Sequence, residues 1–174
     1  TIQNIFGPTA TMMPPGFVRT LPITTLSDSW DAWTWRAALE WEPNDDLLFY
    51  GSWSRGFKSG GFNSRPVVPA DIVAFDPEYV QTYEVGMKSD WWDNRFRFNV
   101  TGFYSQYTDR QLLVTPLPVP GQPQQFFVIQ NAGDVDIWGV EIEAALRPTP
   151  RFTIDGSITF SDNKYTRLAQ PAIN

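Results

Sequence analysis

Three cations close together in the chain, Arg55, Lys58 and Arg65, are interleaved with Phe57 and Phe62 and with Gly56, Gly60 and Gly61. Cationic groups beside aromatic faces attract and stack an anionic chelate, so these five charged and aromatic side chains form a candidate ligand-binding group. The plainer alternative is that the glycines shape a loop and the charges are simply solvated. Glu141 and Glu143 stand two residues apart, which on a strand places both carboxylates on one face roughly 7 Å from each other. Inverting glycoside hydrolysis uses such a separation, but it also needs an enclosing cleft, and the flanking sequence suggests none. Asp45, Asp46, Asp134, Asp136 and Asp155 offer oxygen ligands without the spacing of a calcium loop, so no metal is expected. The chain has no Cys and no His, which removes thiolate metal sites, disulfides and the commonest general base. No catalytic residue and no cofactor are expected, and an enzyme is not.

The charge balance narrows the partners. A formal net charge of -6 and an isoelectric point near 4.5 leave no basic face for phosphates, so a nucleic-acid partner is excluded. No apolar run approaches the roughly 18 residues of a membrane-spanning helix. No charged segment followed by an apolar stretch marks an export signal. Aromatic residues make up 16%, with eight Trp, yet the mean hydropathy is -0.29. That mixture suits a surface apolar on one side and wet on the other.

These side chains must be positioned by strands, because the hydrophobic period is two. Residues 1–30 are rich in Pro, Thr and Gly and are expected to be loop. From Trp33, the residues Trp35, Ala37, Leu39 and Trp41 alternate with Thr34, Arg36, Ala38 and Glu40. Pro43-Asn44-Asp45-Asp46 is a tight turn, and a second strand runs from Leu47 to about Arg55. Gly56 to Pro77 reads as a long loop. Strands around Tyr83–Lys88 and Arg95–Tyr104 are joined by a turn over Ser89–Asn94, and residues 112–125, with four Pro, form another long loop. A last hairpin pairs Asp136–Leu146 with Phe152–Phe160 across Pro148-Thr149-Pro150.

About six strands result, each near the 9 to 11 residues that cross a bilayer at a tilt, with connections alternating short and long. The expected fold is all-β: an antiparallel transmembrane β-barrel fragment with short periplasmic turns and long extracellular loops. Glu84, Lys88, Arg95, Arg97, Glu141 and Glu143 then face a wet lumen as a charge ladder or a plug contact. Six strands are too few to close such a barrel, so further strands are expected outside this chain. Trp41, Trp91 and Trp92 fall at the turn end, and Trp33, Trp53 and Trp138 near the loop end; these six are the candidate girdles at the two membrane interfaces.

The stretch Leu48-Phe49-Tyr50-Gly51-Ser52-Trp53-Ser54-Arg55-Gly56-Phe57-Lys58-Ser59-Gly60-Gly61-Phe62-Asn63 resembles the strand and loop start of TonB-dependent receptor barrels. Pro77-Glu78, Tyr83-Glu84-Val85-Gly86-Met87-Lys88-Ser89, Phe103-Tyr104, Tyr107-Thr108-Asp109 and Gln111 resemble that family's next hairpin. Asn131-Ala132-Gly133 with Gly139-Val140-Glu141-Ile142-Glu143 resembles the one after. The resemblance covers roughly residues 47–146. It implies that residues 1–174 are part of a barrel of about 22 strands in the bacterial outer membrane, contacting its lipid and filled by a plug domain. It further implies a TonB partner and an imported small ligand of the siderophore-iron, cobalamin or glycan class. Two alternatives differ in what they require. A passive porin would have an open channel and no plug. A soluble carbohydrate-binding sheet protein or enzyme would cover its apolar face with a second sheet.

Overall fold

A computed structural model describes residues 2–4, 25–63, 74–115 and 127–168. Its main element is one antiparallel sheet of six strands: β3 (Trp35–Asn44), β4 (Leu47–Lys58), β7 (Glu78–Trp91), β8 (Phe96–Val114), β9 (Val128–Thr149) and β10 (Phe152–Leu168), in the order β10-β9-β8-β7-β4-β3. Each strand neighbours the next in sequence, as hairpin connections dictate. Two small two-stranded sheets accompany it, β1 (Ile2–Asn4) with β2 (Thr25–Ser27) and β5 (Gly61–Phe62) with β6 (Ala74–Phe75). The expected loops over 1–30 and 56–77 therefore contain short pairings.

The connections alternate as expected. β3 and β4 are joined by Asp45 and Asp46 alone, the Asn44 side chain accepting a hydrogen bond from the Asp46 N–H at 3.0 Å. The β7–β8 turn, residues 92–95, carries Trp92, Asp93 and Asn94 at φ of 57°, 55° and 62°. Asp and Asn tolerate this left-handed conformation; a bulky Trp pays for it in steric energy and is held by the turn around it. The strands, however, are longer than the sequence pattern indicated. β9 has 22 residues and β8 has 19. Alternation betrays only the part of a strand with one apolar face; beyond it neither face is consistently apolar, the period vanishes, and the backbone ladder continues regardless. Trp33 precedes β3 rather than opening it.

Register aligns side chains into rows across the sheet. One row on the apolar face runs Trp41, Phe49, Met87, Val100, Ile142, Ile158, and the next runs Leu39, Gly51, Val85, Gly102, Val140, Phe160. Leu39 is 76%, Val85 66% and Ile158 66% exposed, so among the described residues no second layer covers this face. Among the described residues the buried apolar side chains are Val128, Ala132 and Val135, all near the loop end of β9.

Candidate functional site

The loop end is where separate stretches of sequence converge. Asn131 on β9 accepts a hydrogen bond from the Asp76 N–H at 2.7 Å and donates to the carbonyls of Asp76 and Asp109 at 2.8 and 2.7 Å. Gln111 on β8 donates from its side chain to the carbonyls of Ser59 and Asp76 at 2.9 and 3.0 Å, and its N–H is taken by the Glu78 carboxylate at 3.0 Å. The Asn63 amide accepts from the Ile129 N–H at 2.7 Å and is itself largely buried. Side-chain amides here behave as extra backbone, tying residues 59–63 and 74–78 to the tips of β8 and β9. Trp30 packs edge-on to Phe62 at 5.9 Å and lies against Gly60, where any β-carbon would collide with its indole.

A second tie joins three strands. Asp109, at φ 54°, sits in a bulge that resets the register between β8 and β9. Its N–H donates to the Asp134 carboxylate at 2.9 Å. Arg167 on β10 donates to Asp134 at 2.7 Å and to Asp109 at 2.6 Å. The hydrogen bonds from Arg167 hold the Asp134 carboxyl below its usual range, against the opposing effect of partial desolvation, and the Asp109 N–H adds to the lowering. The Arg167 guanidinium is raised in turn, chiefly by Asp134 and then by Asp109.

Strand alternation divides the expected ligand-binding group. Arg55 and Phe57 share a face with Trp53, whereas Lys58, an odd number of positions from each of them, points to the polar face. Arg55 lies with its guanidinium carbon 4.9 Å from the Tyr79 ring centre, and Phe57 stacks on the same ring at 6.5 Å. Phe62 packs on Trp30 as described. Arg65 lies outside the described residues.

On the polar face, the Tyr50 ring covers Gly86, its hydroxyl hydrogen-bonds Thr101 Oγ1 at 2.7 Å, and Lys88 Nζ stands 5.7 Å from the ring centre. Phe103 covers Gly139 in the same way. Each aromatic fills the space its register partner vacates, which explains the two glycines. Asn99 donates to Glu143 at 3.2 Å, and Asp90 holds Arg97 through two hydrogen bonds of 2.8 and 3.1 Å. Glu143 is thus engaged by an amide across the strands, not paired with Glu141 over a cleft.

The tryptophans fall into two groups along the strands. Trp53 and Trp138 occupy one row with Tyr83 and Tyr104, and Trp35 meets Trp53 edge-on at 4.2 Å. The Trp53–Tyr83 and Tyr83–Tyr104 rings stack at 5.7 and 6.4 Å. At the other end Trp41 stacks on Phe49 at 5.6 Å, and Trp91 and Trp92 flank the β7–β8 turn, with Trp92 5.5 Å from Phe96. Trp33 is 87% exposed and precedes β3, outside both rows.

The convergence of the three motif blocks on one node was hidden in the sequence. Asn63, Gln111 and Asn131 were each part of a recognisable block, but their partners lie up to 66 residues away. Arg167 had no signal at all.

The family model described as TonB dependent receptor-like, beta-barrel, matches residues 11–173. The pesticin receptor of Yersinia pestis is 29% identical over 120 residues, covering 68% of this chain and 16% of that receptor. A probable TonB-dependent siderophore receptor of Acinetobacter baumannii, PiuA, is 22% identical over 148 residues, 82% of this chain and 19% of its own length. Among solved structures, the ferric yersiniabactin uptake receptor FyuA from Yersinia pestis superposes with a TM-score of 0.61 at 26% identity, covering 75% of this chain and 18% of that one. The chain spans less than a fifth of the length of these relatives. Its open six-stranded sheet, with one apolar and one polar face, is a segment of such a barrel, and the chain belongs to the TonB-dependent receptor β-barrel family.

Proposed function

We propose that this chain is a stretch of the barrel of a bacterial outer-membrane receptor importing a ligand of the ferric-siderophore class, energised through TonB and a plug domain carried elsewhere in the full-length protein. The observation that carries this is the node at the loop end, where three distant motif blocks meet at the tips of β8 and β9. A receptor must hold its outer loops in a defined arrangement over its lumen to recognise a ligand, and hydrogen-bonded amides anchoring the loop bases do that. The names of the relatives, receptors for a siderophore, for pesticin and for ferric yersiniabactin, support the ligand class.

Among the described residues the outer edges of β3 and β10 are unpaired in the sheet. An apolar face with bare edges is stable in lipid only within a closed barrel, so other strands complete it. β9, about 70 Å long from its 22 residues, rises about 50 Å at a tilt near 40°, roughly twice the apolar band of such barrels. Its outer half therefore stands above the membrane and carries the node. The Trp53 row and the Trp41 and Trp91 group form the girdles at the two interfaces. Among the described residues of the rim group, Lys58, on the polar face at the loop end, is the cation placed to meet an anionic ferric chelate.

The test is uptake of radioactive iron from a panel of ferric siderophores by receptor-deleted cells carrying the intact gene, with and without TonB. TonB-dependent uptake of at least one chelate, weakened by Lys58→Ala at normal surface expression, is expected. Equal uptake without TonB would mean a passive pore, and failure to bind or import any ferric chelate would reject the ligand class.

A further inference from the structure

One row beyond the aromatic row, the apolar face changes character: Trp35, Arg55, Gln81, Gln106, Asp136 and Lys164 lie in register. Lys164 is the register partner of Asp136, but among the described residues no acid is a register partner or same-face strand neighbour of Arg55. Its register partners are Trp35 and Gln81, its same-face strand neighbours Trp53 and Phe57, and among the described residues no carboxylate pairs with it. The Tyr79 ring backs the guanidinium at 4.9 Å, which orients the group, and among the described residues no hydrogen bond engages its N–H donors.

We propose that Arg55, with Tyr79 behind it and Gln81 beside it, binds a phosphate of an outer-leaflet lipid headgroup. The inference rests on the barrel and membrane orientation proposed above. A group facing lipid one row past the aromatic girdle lies at headgroup depth, where phosphate is the abundant anion. A guanidinium fork matches two phosphate oxygens, and the Gln81 amide supplies a further donor. The same geometry separates Arg55 from any ligand in the lumen, because its side chain leaves the opposite face of the sheet.

The experiment uses the full-length receptor, purified as wild type, Arg55→Gln and Arg36→Gln, and titrated with lipid A or dephosphorylated lipid A while bound lipid is counted by native mass spectrometry. Arg36 is the control, since it stands opposite Ser54 on the polar face, one position from the register of Arg55. Wild type and Arg36→Gln are expected to prefer phosphorylated lipid. Arg55→Gln should bind it about fivefold more weakly and lose the preference, with heat-modifiable gel mobility and ferric-chelate uptake unchanged. Unaltered lipid A binding by Arg55→Gln, or equal binding of the dephosphorylated lipid by wild type, overturns the proposal. So does loss of ferric-chelate affinity with lipid binding intact, which would put Arg55 in the ligand site. Absence of iron uptake by every protein, with the lipid result as expected, would reject the transport function and leave this inference standing.

Discussion

Replacing Asn131 by Ala in the full-length receptor removes three hydrogen bonds of 2.7 to 2.8 Å, two to Asp76 and one to the Asp109 carbonyl. Net values of roughly 0.5–1.5 kcal/mol each set an upper bound of about 4.5 kcal/mol. The two bonds to Asp76 are exposed, so water replaces much of what they contribute, while the part-buried bond to Asp109 is replaced poorly. A local loss of about 1–2 kcal/mol follows, felt by the tether and not by the sheet. Amide hydrogen exchange in residues 74–78 should accelerate about tenfold, while the β7–β8 ladder from Tyr83 to Lys88 stays protected. Asn131→Asp should do at least as badly at neutral pH, since a carboxylate would then face two carbonyl oxygens. Unchanged exchange would refute the tether. Loss of protection throughout β8 and β9 would refute its local character, because Asn131 would then be supporting the sheet.

Gly139→Val should strain the β9–β10 pairing: a β-carbon there meets the Phe160 carbonyl oxygen at 2.7 Å as well as the Phe103 ring, so the backbone must shift locally. A loss of about 1–3 kcal/mol is expected, read as a lower midpoint of urea unfolding in lipid vesicles. Trp53→Ala removes ring contacts to Trp35 and Tyr83, for about 1–3 kcal/mol by the same measurement, and Trp53→Phe should restore a good part of it. The Asp134 carboxyl is lowered in the folded state, so its contribution is present above the ordinary carboxylate value of about 4 and is lost as pH falls through the folded value. Exchange at the Asp109 amide should therefore show no opening of the Arg167 tie between neutral pH and about pH 5, and an opening below pH 4. Asp134→Asn should abolish that acid step.

The membrane-crossing part of each strand was legible because burial on one face alone imposes a period of two. Trp35 to Trp41 and Trp138 to Leu146 announce themselves in that way, and Asp45-Asp46 marks a turn by residue type, whereas the turn expected over Pro148-Thr149-Pro150 falls later, at Pro150-Arg151, with Pro148 and Thr149 still in β9. The outer continuations of β8 through Gln111 and β9 through Asn131 did not, since neither face there is consistently apolar. Candidate residues fared similarly. Glycines, cations and aromatics near residue 60 stood out by type, but which face each takes depends on parity, which separates Arg55 from Lys58. The node depends on pairings such as Asn63 with Ile129 and Arg167 with Asp134, and no local pattern encodes them.

These 174 residues contain no Cys, so, with any cysteine elsewhere in the full-length receptor replaced, single cysteines can report on them individually. Spin labels at positions 49 to 54 of β4 in the full-length receptor, reconstituted in lipid vesicles, would give collision rates with oxygen, which concentrates in lipid, and with a water-soluble nickel chelate. Oxygen access should peak at positions 49, 51 and 53 and nickel access at 50, 52 and 54, in strict alternation. Equal access to both reagents along the strand, or alternation in the opposite phase, would contradict a barrel wall with its Trp53 face in lipid.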